Sequence, residues 1–100
     1  MKGRTPTAAE RRHMAMVREL GCIACRNAGI NTPAEYTLIH HIDGKTKPDA
    51  HKKVLPLCHA HHDRYQVTGL HYNQTDWEAQ HGTQEELLQQ VNGMLEVHCG

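Results

Sequence analysis

Three groups of residues carry most of the chemistry open to this chain: Cys22-x-x-Cys25, Cys58-x-x-His61, and the histidines His40, His41 and His62. A closed structural zinc site takes four thiolate or imidazole donors, commonly as two pairs on separate segments. The two short-spaced pairs fit that pattern, and the 32 residues between Cys25 and Cys58 leave room for a hairpin. We therefore expect one structural zinc on Cys22, Cys25, Cys58 and His61. Closing so long a loop with metal would contribute folding free energy. Two disulfides are the alternative for four cysteines in a short chain, but the spacing is that of metal ligands. Cys99, next to the C-terminus, reads as a bystander.

Ten histidines exceed what one zinc site consumes. The adjacent pair His40-His41 at a strand end, with His62 at a helix start, is the unusual remainder. One imidazole of such a pair can bind a metal while the other stays free as a base. Neighbours in a strand point to opposite sides, so the expectation is that the twist at the strand end brings both into one cleft. His13, His59, His81 and His98 have no such context, and His81 before Gly82 fits a helix C-terminus, where positive character is favourable. Asp43 suits either a hydrogen bond to a ligand imidazole or a turn before Gly44.

The elements that must position these groups are short. Thr7-Ala-Ala-Glu10 has the form of a capping box, and Met14, Val17 and Leu20 recur at helical spacing, predicting a helix over 8–20. A knuckle at Cys22–Cys25 follows. Tyr36–Ile39 reads as a strand running into His40-His41, and Val54–Leu57 as a second, with Pro56 confining it to an edge or end. The pattern then predicts a helix from His59 to about Val67. Thr75-x-x-Glu78 and Thr83-x-x-Glu86 look like two further capping boxes, and Leu87, Leu88, Val91 and Leu95 form an apolar stripe that, with Trp77, belongs to the core.

One hundred residues make one small domain, read as a flexible tail over 1–7 and a folded unit over 8–100. Phe is absent and only four residues are aromatic, so burial alone is a thin source of stability and a metal staple is expected. No leader-like or membrane-spanning apolar run is present, and the reading is a cytoplasmic protein with available thiolates and no membrane partner. Net charge is zero but uneven. Residues 1–71 hold eleven Lys/Arg against six Asp/Glu, a net of +5, and residues 72–100 hold none against five, a net of −5. A basic working face suits a phosphate backbone, with Lys45, Lys47, Lys52, Lys53 and Arg64 as the DNA contacts.

The order Cys22-x-x-Cys25, Leu38-Ile-His-His-Ile-Asp-Gly44, Leu55-Pro-Leu-Cys58-x-x-His61-His62 resembles the HNH endonucleases, whose active site is a ββα-metal motif. Added to it, Gly69-Leu-His-Tyr-Asn73 and Trp77-Glu-Ala-Gln-His-Gly-Thr-Gln-Glu-Glu-Leu-Leu88 make the chain similar to the phage recombination-enhancement (Ref-type) nucleases. The resemblance implies an α+β fold: a small zinc-stabilised ββα-metal, treble-clef-like domain with flanking helices. It implies His40 and His62 as ligands of a catalytic metal and His41 as the general base, with His71 as the candidate third ligand. An H-x-x-x-H arrangement is excluded, because Gln66 stands where the second histidine would be. The middle Asn of the motif is replaced by Lys53, so the bracing of that loop falls to His51 or Asp49.

The implied function is a metal-dependent endonuclease acting on DNA, with the RecA filament as a further partner. An imidazole ligand set suits Zn²⁺, Mn²⁺ or Ni²⁺ better than Mg²⁺. A non-catalytic treble-clef zinc module that binds nucleic acid or protein is the alternative, and it gives His40, His41, His62 and His71 no task. A redox role for Cys22-x-x-Cys25 lacks the βαβ context that motif needs.

Overall fold

The computed structural model describes residues 5–99, with side chains to residue 96. Most of the tail expected over 1–7, and the side chains of His98 and Cys99, lie outside the described residues. The chain begins with α1 (Ala8–Glu19), whose N-cap Thr7 forms the expected capping box with Glu10. Thr7 Oγ1 accepts from Glu10 N, and Glu10 Oε1 accepts from Thr7 N. Gly21 then turns the chain with a φ of 76°, where a Cβ would collide with the Thr32 carbonyl. That turn delivers Cys22 into the core as the N-cap of α2 (Ile23–Asn27), a single short helix in place of a bare knuckle.

A 3-10 turn (Ala34–Tyr36) leads into β1 (Thr37–His41), which pairs antiparallel with β2 (Val54–Cys58). The register sets Thr37 opposite Cys58, His40 opposite Leu55 and His41 opposite Val54. Pro56 lies opposite Ile39, tolerated because every strand of a two-stranded sheet is an edge. Val54, Leu55 and Leu57 of β2 are fully buried against Val17 of α1 and Ile23 of α2, and against Leu87, Val91 and Leu95 further along the chain. At roughly 1.5–3 kcal/mol per buried aliphatic side chain, this core is modest for a hundred residues.

Two sequence expectations are corrected. The helix after β2, α3, is only His59–His62, not a helix to Val67. Asp63 ends it: its Oδ1 accepts from Arg64 N at 2.7 Å and Tyr65 N at 3.2 Å, a local turn that competes with helix continuation. Next, α4 (Gln74–His81) starts two residues earlier than a Thr75 cap would give. Asn73 is its N-cap, accepting from Asp76 N at 3.1 Å, and Glu78 accepts instead from Gln84 N at 2.9 Å. The Thr83–Glu86 box does form, and it opens α5 (Gln84–Cys99). Leu87, Leu88, Val91, Leu95 and Trp77 are all buried. No helix among the described residues is long and apolar enough to cross a membrane.

Candidate metal centres

The α2 turn and the β2–α3 junction converge so that one donor atom from each of Cys22, Cys25, Cys58 and His61 lies within 4.8 Å of the others. His61 Nδ1 is 3.1 Å from Cys58 Sγ, 3.4 Å from Cys25 Sγ and 3.5 Å from Cys22 Sγ, and the sulfurs of Cys25 and Cys58 are 3.8 Å apart. A tetrahedral site with metal–sulfur bonds of about 2.3 Å has an edge of roughly 3.8 Å, so these separations suit four ligands of one ion. The same 3.8 Å is far beyond a sulfur–sulfur bond of about 2.05 Å, and the three cysteines are free thiols. The Cys25 N–H donates to Cys22 Sγ at 3.4 Å. Burial pushes the Cys22 thiol up to about 12, so a cation must displace its proton for the cluster to hold together as thiolates. Behind His61 stands His81, with ring centroids 5.2 Å apart, and Trp77 backs His81 at 4.7 Å. His81 is the last residue of α4 as expected, but burial lowers its pKa and favours the neutral ring over a cationic cap.

A second cluster comes from β1, α3 and the loop after it. Donor atoms of His40, His62 and His71 lie within 4.8 Å of one another, and His62 Nε2 is 3.2 Å from His71 Nε2. His71 is held there by the backbone. Leu70 N donates to the His61 carbonyl at 2.8 Å, and Gly69 sits so close to Asp63 that a Cβ would collide with its carbonyl. Burial, then the neighbouring His40 and His71, push His62 down to about 4. His40 is lowered mainly by burial, partly offset by its bond to Gln84. At His40 and His62 the neutral imidazole, the form that binds a metal, is therefore favoured.

Gln84 is a partner that sequence reasoning missed. Its Oε1 is 2.8 Å from His40 Nε2, and both side chains are buried. An Nε2–H donated to Gln84 leaves Nδ1 of His40 as the nitrogen for a metal, the tautomer control usual for ligand histidines. The sequence carries no signal for it, since Gln84 opens a helix that begins Gln-Glu-Glu.

The strand runs through both members of the histidine pair, and the two rings take different partners. His40 turns to His62, His71 and Gln84, whereas His41 turns to His51, its Nε2 3.1 Å from His51 Nδ1. Alternation along a strand accounts for the split. His41 remains close enough for its charge to weigh against protonation of His40. Its own pKa is lowered by burial first, then by His51 and Lys45.

The loop 42–53 closes where Ile42 N donates to Lys53 O at 3.1 Å, and Asp49, in the left-handed region with φ 62°, accepts from Lys52 N and Lys53 N. Asp43 lies in the turn after β1 with its carboxylate 3.6 Å from Lys53, and Lys52 is 3.9 Å from Asp49. Lys45, Lys47 and Arg64 are exposed. Residues 6–96 match the model of a family described as recombination enhancement, RecA-dependent nuclease.

Proposed function

Because the chain belongs to the family of recombination-enhancement, RecA-dependent nucleases, we propose that it is an HNH-type, metal-dependent endonuclease hydrolysing DNA phosphodiester bonds. The observation that carries this reading is the pairing of two separate donor clusters, one of three sulfurs and an imidazole, one of three imidazoles. A non-catalytic zinc module needs the first and has no use for the second.

In this reading Cys22, Cys25, Cys58 and His61 hold a structural zinc, and His40, His62 and His71 hold a catalytic divalent ion such as Zn²⁺, Mn²⁺, Ni²⁺ or Mg²⁺. When bound, that ion supplies positive charge to the scissile phosphate and to the leaving 3′ oxygen. His41 is the general base. Its lowered pKa keeps the ring neutral near pH 7, with a lone pair to take the proton of the attacking water. Gln84 fixes the His40 ring, and Gly69 lets the backbone carry His71 to His62. Exposed Lys45, Lys47 and Arg64, together with Lys52 and Lys53, contact the DNA backbone, which positions the DNA without reading sequence. The site of action is the cytoplasm, where a RecA filament would present the DNA.

Plasmid cleavage with Mg²⁺, Mn²⁺ or Zn²⁺, run with and without RecA filaments, tests the proposal. Metal-dependent cleavage that RecA stimulates is the expected result. No cleavage under any of these conditions, with both clusters loaded, would leave the zinc-module reading in its place.

A further inference from the structure

We propose that His51 is the positioning residue for His41, and that it makes Nδ1 of His41 the atom that accepts the proton; this rests on the reading of His41 as the base. His51 is 5% exposed, too deeply buried to meet the substrate itself. Its Nδ1 lies 3.1 Å from His41 Nε2, with the two rings nearly perpendicular at 85°. It stands on a fixed turn: Ala50 N donates to Lys47 O at 3.1 Å, and Asp49 O accepts from Lys52 N at 2.9 Å.

A hydrogen bond between two neutral imidazoles holds one proton, and its placement decides what His41 can do. With the proton on His51 Nδ1, His41 Nε2 is occupied as an acceptor and His41 Nδ1 carries its own hydrogen, so no basic nitrogen is free. With the proton on His41 Nε2, the ring donates to His51 Nδ1 and His41 Nδ1 keeps an open lone pair. Only the second arrangement serves a base. In the proposed arrangement His51 Nδ1 is the acceptor, which keeps His41 in that tautomer and fixes its ring, the task that a buried carboxylate performs for the histidine of a serine protease triad. This also accounts for a buried histidine in the loop where the HNH pattern has its bracing residue.

The test compares cleavage kinetics and metal content of the wild type with H51L, H51N, H41A and the double variant H41A/H51L. Leu fills the volume without an acceptor, whereas the Asn side-chain oxygen reaches the position of His Nδ1. H51L should lower kcat about ten- to a hundredfold with KM and both metals unchanged, the usual range for a residue orienting a functional histidine. H51N should restore most of the rate, and H51L should add nothing once His41 is gone. An H51L protein with wild-type kcat beside an inactive H41A overturns the positioning role and spares the base. Equal rate losses from H51L in both backgrounds overturn it as well, and a fully active H41A removes both readings. Should H51L fail to fold, H51N against H51Q decides, because the Gln amide reaches the Nε2 position instead: equal activities contradict the inference, and an active Asn with an impaired Gln supports it.

Discussion

His61 and His62, adjacent on the one-turn helix α3, point their imidazoles into different donor clusters: His61 Nδ1 is 3.1 Å from Cys58 Sγ, and His62 Nε2 is 3.2 Å from His71 Nε2. A rotation of α3 by one residue would disorganise both. A metal held by Cys22, Cys25, Cys58 and His61 would therefore do more than staple a thin core, since by holding the His61 ring it would also set the direction of the ring beside it.

Removing the structural cluster should remove the other. Cys58→Ser is expected to lose one equivalent of zinc, to unfold much of the domain, and to abolish metal binding at His40, His62 and His71. Apparent free energies of about 10–16 kcal/mol for structural zinc in small peptides show why a weak core cannot compensate. Metal analysis with circular dichroism checks this, and full zinc content with normal melting would contradict it.

The reverse should not hold. His62→Ala leaves the four-donor cluster intact, so the fold and one zinc should persist while the second metal and cleavage are lost. Metal stoichiometry falling from two to one, at an unchanged circular dichroism spectrum, is the expected outcome. Loss of both ions would mean that the clusters are not separable in this direction.

Gly69→Ala places a methyl group against the Asp63 carbonyl, and the chain must move away from α3 to admit it. Because Leu70 N bonds to the His61 carbonyl on that side, His71 moves with it. We expect at least a tenfold weaker affinity for the second metal, with the structural zinc retained, by metal titration. An unchanged affinity would show that His71 is not held by this contact.

The cluster of Cys22, Cys25, Cys58 and His61 is legible in the sequence because its ligand spacing is local: a C-x-x-C or C-x-x-H pair nearly fixes its own geometry, whereas the roles of His40 and His62 come from the resemblance. His71 is legible only through the Gly69-Leu-His resemblance, since it joins His62 across a loop of no regular structure. Gln84 is not legible as a partner, and His51 is legible only as a candidate brace of its loop, not as the partner of His41. Gln84 reaches His40 from forty-four residues away, and only the tertiary fold brings them together. The short α3 and the Asn73 cap are missed for a related reason, as side chains of Asp63 and Asn73 claimed backbone N–H groups that the periodic pattern had assigned otherwise.

The Thr83–Glu86 box that opens α5 gives a pH dependence. Glu86 is held below the ordinary carboxylate range by the backbone and hydroxyl of Thr83, so its contribution is present above the unfolded value near 4.5 and lost as pH falls through the folded value. The stability gap between wild type and Glu86→Ala should be open at pH 7 and close in acid. Comparing the two proteins cancels acid effects on the metal clusters. A gap that is the same at pH 7 and pH 3.5 would contradict the assignment.

The most direct measurement of the central claim sets His41→Ala against His40→Ala in the same DNA-cleavage assay, with metal content determined on each protein. His41→Ala should keep both metals and the fold yet cleave at least about a hundredfold more slowly, the usual size of a general-base contribution. His40→Ala should lose the second metal, with partial recovery in excess Mn²⁺. A His41→Ala protein that cleaves at the normal rate, or one that loses its metal while His40→Ala keeps it, would contradict the account.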